Sequence, residues 1–251
     1  MTLIEAIILV AVGGLTGFMN VISAGGSMIT LPVLMFMGLD SATANGTNRV
    51  GIVLQNATAV TRFRKAGHKD VRLALKLSIP AVLGSLFGAW LATQVGDALF
   101  QWILIVVMVG CSILMVMPQP KNLRTEPLND SHLTPAVYLA MLVIGFYGGF
   151  IQVAVGILFI VMLYRLLKID LVQVNILKVL IVLVYMVPAL GVFIYSGHVA
   201  WSYGLVLAVG SMLGAWMAAR VTLSPDGAKW IQRFTLAVIA IIIVKLIIDL
   251  L

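Results

Sequence analysis

The sequence predicts an all-α polytopic membrane protein whose two homologous halves form an inverted repeat. Three observations predict it. Hydrophobic residues make up 62% of the 251 residues and charged residues only 10%, whereas soluble domains carry about a quarter charged residues. Apolar stretches of about 20 residues, enough to cross a ~30 Å hydrocarbon core, recur along the chain. A nine-residue motif also occurs twice, and lesser matches keep chain order at a spacing of about 130 residues.

Each half reads as about five hydrophobic elements. Long apolar stretches occupy 3–23, 41–61, 71–94 and 97–117, then 134–153, 170–196, 200–221 and 227–251. A first transmembrane repeat therefore covers 1–117 and a second 134–251, joined by a cytoplasmic linker over 118–133. The start of the chain does not read as a cleavable signal, because it has no basic leading region and carries Glu5. Gly84-Ser-Leu-Phe-Gly88-Ala-Trp90-Leu-Ala92 returns as Gly210-Ser-Met-Leu-Gly214-Ala-Trp216-Met-Ala218. Small residues four apart let helices approach closely in lipid, so this motif reads as packing. Gly14, Gly17, Gly25, Asp40, Asn45 and Gly67-His68 match Gly145, Gly148, Gly156, Asp170, Asn175 and Gly197-His198.

The second element of each half is short. Residues 27–38 and 157–168 give about 18 Å of helix, well below a bilayer crossing. Glycine breaks precede them, at Ala24-Gly25-Gly26 and at Val155-Gly156. Paired short segments of this kind point to the binding site of a transporter. A helix that begins inside the membrane exposes backbone N–H groups and a partial positive charge, which suit an anion. Ser27 is a candidate cap for the first short helix, with Ser23 and Asn20 just before the break. Gln152 takes that place in the second half.

The third element carries Asn45, Asn48, Arg49, Gln55 and Asn56 on one helical face. Its counterpart carries Asn175, Lys178 and Tyr185. Ionisable residues inside a membrane are costly and mark function. Arg49 and Lys178 are expected to meet near the midplane and to offer positive charge to a small anionic substrate. Asn20, Asn45, Asn48, Gln152 and Asn175 would donate hydrogen bonds, with backbone amides at Gly25, Gly26 and Gly156.

The net charge of +7 reads as a record of orientation in the bilayer, not as a nucleic-acid surface. With the second half inverted, the basic residues at 62–76, 121, 124, 165, 168, 220, 229 and 233 share the cytoplasmic side. Both termini are then expected outside. All acidic residues lie near segment ends or in loops. No phosphate-binding loop, Cys/His cluster or nucleophile–base pair stands in the chain, so neither an enzyme nor a cofactor or metal is expected. Cys111 reads as an inert core thiol, and His68 and His198 as interfacial residues.

At these residues the chain resembles the sulfite exporter TauE/SafE family. The likeness rests on Gly13-Gly14 to Gly17, Gly25-Gly26, Leu31-Pro32 and Ala42-Thr-Ala-Asn45-Gly-Thr-Asn48, and on their echoes at Gly145, Gly148, Gly156, Asn175 and Lys178. The resemblance implies export of sulfite, organosulfonates or related anions across a bacterial inner membrane. An anion leaving a cell that is negative inside gains about 2.3 kcal/mol per charge per 100 mV, so export needs no coupling ion. A passive anion channel or facilitator, or a permease for a different small solute on the same scaffold, stays open as an alternative. So does the choice between monomer and homodimer.

Overall fold

The computed structural model of the chain describes residues 1–22, 26–65, 71–116, 132–169 and 171–221, with 244, 247 and 248. Every regular element among them is helical: α1 (Leu3–Ile22), α2 (Ser27–Phe36), α3 (Ser41–Lys65), α4 (Val71–Ala92), α5 (Asp97–Val116), α6 (Pro135–Phe150), α7 (Val155–Leu167), α8 (Leu171–Tyr195) and α9 (Trp201–Val221). Most of the linker, and the apolar stretch 227–251 apart from three residues, lie outside the described residues.

Among the described residues, four helices are long and apolar enough to cross a bilayer, spanning Leu3–Val21, Val71–Ala92, Gln173–Tyr195 and Trp201–Ala219. Their outward faces are large and apolar: Ile79, Leu83, Trp90, Val187 and Leu205 are all exposed. No soluble surface would leave so much apolar area in water. α3 is as long as α8, at 25 residues, but its polar stripe lowers its hydropathy. Asn45, Asn48, Arg49, Gln55 and Asn56 are all buried in protein. Lipid cannot solvate such groups, so the other helices must enclose α3.

α2 is short for local reasons. Gly38, at φ +90°, closes its C-terminus in a backbone conformation that side chains rarely adopt. Its N–H and that of Leu39 return to the Met35 and Leu34 carbonyls. Asp40 then opens α3, accepting the Thr43 N–H at 2.9 Å as an N-cap. Partial burial pushes the Asp40 carboxyl up. Hydrogen bonds from Thr43 and the nearby His198 outweigh that and hold it below the usual carboxylate range. Ser41 N–H donates to Asp97 at the head of α5, at 2.6 Å.

Helix directions follow from the residues that touch. In α3 and α8, Gly46 lies against Phe193, Arg49 reaches Met186, and Val60 and Phe63 share a cleft with Ile176 and Leu180. The two helices are therefore antiparallel. α9 runs with α3, since Val50 meets Gly204 and Arg62 stacks on Trp216. α1 runs with α9, and α6 with α4, through the glycine motifs. A Cβ on Gly210 would strike the Val10 carbonyl, and one on Gly84 the Leu142 carbonyl. These are equivalent positions of the repeated motif, and only glycine permits the approach.

Six of the helices sort into two groups of opposite direction, with α1, α3 and α9 in one and α4, α6 and α8 in the other. Each group takes helices from both sides of the linker. One end of the bundle gathers positive charge: Arg62, Arg64 and Lys65 in the last turn of α3, and Arg72 and Lys76 early in α4. Asp40, Asp97 and His198 lie at the other end.

Candidate anion site

α1 ends inside the bundle, and the chain turns back into α2. Asn20, in the last turn of α1, ties its end to α3 and to the start of α2. Its Nδ2 donates to Gln55 Oε1 on α3 at 3.4 Å, and its Oδ1 accepts the Ser27 N–H at 3.3 Å. The N-cap position of α2 is Gly26, with no side-chain cap of its own. Ser27 is therefore not the cap expected from sequence. It is already helical, and a side chain seven residues earlier satisfies its N–H.

The second break is different in kind. α6 ends at Phe150, and 151–154 form a tight turn in which Gln152 and Ala154 have φ of 60° and 52°. Both are non-glycine residues in a region that costs roughly 1–2 kcal/mol each. The Tyr147 hydroxyl donates to the Val153 carbonyl, and Tyr185 Oη donates to Gln152 Oε1 at 2.9 Å. These bonds hold the strained turn. α7 begins at Val155, so Gly156 lies within its first turn and not before the helix as expected.

Both breaks open on one cavity. It is lined by Asn20, Ser27, Gln55, Asn56, Gln152, Gly156 and Lys178, with Ile52, Val155 and Val182 as apolar walls. Its volume is about 20 Å³, room for about one water molecule. The first turns of α2 and α7 face it, as do one cation and four side-chain amides. This is the equipment of a small anion site: helix N-termini, a point charge and amide donors.

Lys178 is buried, and its ammonium donates to Asn175 Oδ1 at 2.8 Å and to the Asn20 carbonyl at 3.1 Å. Asn175, one turn earlier on α8, thus positions the cation and does not itself line the cavity. A cation also complements the negative C-terminal end of α1.

Arg49 makes the corresponding contact in the other direction. Nη1 donates to the Gly148 carbonyl at 3.1 Å, and Nη2 to the Gly149 carbonyl and to Asn45 Oδ1 at 3.2 Å. Asn45 Nδ2 in turn donates to the Phe150 carbonyl at 2.7 Å. Phe193 lies under the guanidinium, 4.5 Å from the ring centroid. The planar fork thus closes the C-terminus of α6, whose last carbonyls lack helical partners. Arg49 precedes Gln55 by six residues on α3, roughly 9 Å along the axis. Arg49 and Lys178 accordingly occupy two places, and only Lys178 faces the cavity. Asn48 Nδ2 and Arg49 Nε are buried without a partner among the described residues. Ser23 and Gly25 lie outside the described residues, while Gly26 packs against Asn20 and Thr16.

Sequence reasoning missed the acceptors of Arg49, because they are main-chain carbonyls and leave no side-chain signature. It placed Gln55 and Asn56 on the polar face without assigning them to the site. Their spacing of 10 and 11 residues from Asn45, three helical turns, was the available signal.

Comparison with known proteins agrees with the architecture. The family model described as "Sulfite exporter TauE/SafE" matches residues 9–246. The "Probable membrane transporter protein YfcA" of Escherichia coli K12 is 31% identical over 96% of this chain and 89% of its own length. "Probable membrane transporter protein ORF9" of a Sinorhizobium species is 27% identical over 94% of this chain and 89% of its own. A "Probable membrane transporter protein" of Haemophilus influenzae is 27% identical over 86% and 85%. No solved structure matches the chain significantly. The match over nearly the whole length, on a multi-pass helical bundle with a polar centre, makes this chain a member of the sulfite exporter TauE/SafE family of membrane transporters.

Proposed function

We propose that the protein is a secondary transporter that exports a small sulfur-containing oxyanion, sulfite or an organosulfonate, across a bacterial inner membrane by alternating access. The observation that carries this reading is the cavity shared by both breaks, with Lys178 and the first turns of α2 and α7 facing it. Helix N-termini aimed at a midplane site from two related segments are a recurring device in secondary transporters.

In this reading Lys178 neutralises the anion. Asn20, Gln55, Asn56 and Gln152 donate hydrogen bonds, and amides near Ser27 and Gly156 complete the site. Asn48 brings an unpartnered donor on the same helix as Gln55. Asn175 positions Lys178, and Arg49 with Asn45 braces the end of α6. The antiparallel packing of α3 on α8 supports an inverted repeat of 1–117 and 134–251. The basic end of the bundle is the cytoplasmic face by the positive-inside rule, with both termini outside. A one-water cavity corresponds to an occluded state that must open to admit an oxyanion.

The test is flux in proteoliposomes under an inside-negative potential, with sulfite, sulfate, thiosulfate, taurine and sulfoacetate. Export of a sulfur oxyanion, showing saturation and counter-flow, is expected. Lys178→Ala should lower it at least about tenfold, the loss of one charge-assisted hydrogen bond. Unaltered flux in a folded Lys178→Ala protein would show that the anion binds elsewhere.

A further inference from the structure

A second concavity lies away from the polar centre, on the lipid-facing side of α4. It is a crevice of about 870 Å³ lined by Val71, Arg72, Leu75, Lys76, Ser78, Ile79, Val82 and Leu83 of α4, with Val184 of α8. Leu75, Ile79 and Leu83 are exposed along it, in a stripe of helical spacing. Arg72 and Lys76 stand one turn apart at one end, the end where the basic residues of the bundle gather. Pro80, within this stretch, cannot donate to the Lys76 carbonyl, so α4 lacks a backbone rung beside the crevice.

We propose that this crevice is a binding site for one anionic phospholipid, whose phosphate sits between Arg72 and Lys76 and whose acyl chain lies along Leu75, Ile79, Val82 and Leu83. Two features select this occupant. The first is charge: the walls are apolar, and both cations stand at one end, which matches a lipid with its headgroup at the membrane surface. The second is length. From Arg72 to Leu83 the stripe rises through eleven residue steps, about 16 Å, which is one leaflet of a ~30 Å core. A partner helix or a second copy would call for a groove crossing both leaflets. The site does not depend on the transport reading.

Native mass spectrometry of the detergent-solubilised protein tests it, with phosphatidylglycerol and phosphatidylcholine of matched chains. The wild type is expected to retain phosphatidylglycerol about tenfold better than phosphatidylcholine. Arg72→Gln/Lys76→Gln should abolish that preference, and Val82→Trp should lower retention of both lipids by filling the crevice. Millimolar inorganic phosphate should not displace the lipid. Equal retention of the two lipids by the wild type would overturn the proposal. So would undiminished preference in the double variant, displacement by phosphate, or a dimer that Val82→Trp splits. The wild-type comparison stands even if a variant fails to fold.

Discussion

Arg49 and Lys178 look alike in the sequence and do different work in the fold. Each is an intramembrane cation with an asparagine one turn before it, and each reaches the C-terminal carbonyls of a helix from the other side of the linker. Arg49 spends its fork on Gly148 and Gly149, so it is a structural clamp. Removing a buried, hydrogen-bonded cation leaves carbonyls unpaired and a void, a cost of about 3 kcal/mol or more. Arg49→Ala is therefore expected to lower the thermal midpoint in detergent by many degrees. Arg49→Lys should restore only part, because one ammonium cannot span two carbonyls. A normal melting curve for Arg49→Ala would count against the clamp. Lys178 is buried and hydrogen-bonded as well, but it also borders the cavity, so its removal should depress flux per folded molecule in addition to stability. The polar stripe was legible in the sequence because its period is helical. The division of labour between the two cations was not, because it depends on where a neighbouring helix stops.

At the level of elements, the two short helices were legible from length, but the break before α7 lies at 151–154 and not at Gly156, and the chemistry of neither break was legible. The first break is held by Asn20, a side chain that caps a helix seven residues later. The second has no glycine where φ is positive, and Ala154 sits at 52°. Ala154→Gly should relieve about 1 kcal/mol of strain and raise the melting midpoint slightly. A clear loss of stability would show that the turn is not strained there. The start of α3 offers a second check. Asp40→Ala should cost about 1 kcal/mol, whereas Asp40→Asn keeps the cap. The Asp40 carboxyl is held below its ordinary range. Its stabilisation is thus complete above that range and lost as pH falls through the lowered value. Asp40→Asn should not show this acid-dependent loss when melting is followed from pH 6 to pH 3.

The sequence halves are not the packing bodies of the molecule. Close backbone contacts join α1 to α9 and α6 to α4, each across the linker. With α3 beside α9 and α8 beside α4, two mixed bodies face each other along α3 and α8. A repeat read along the chain shows duplication and charge asymmetry, but not this exchange, which needs the helix contacts. The seam holds the cavity, and both cations cross it: Arg49 reaches from α3 to α6, and Lys178 from α8 to α1. If alternating access is a rocking of packed bodies, motion belongs at this seam, because glycine-locked backbones cannot part without losing their whole contact. Two cysteine pairs in a Cys111→Ser background separate the alternatives. Val60→Cys with Leu180→Cys lies at the seam, where both residues border one cleft. Phe18→Cys with Ala215→Cys lies where α1 meets α9. A short thiol cross-linker should arrest flux through the first pair and leave the second pair active. Arrest through both pairs would mean that the sequence halves themselves move apart, since both pairs join them, and that the glycine contacts are a sliding surface too.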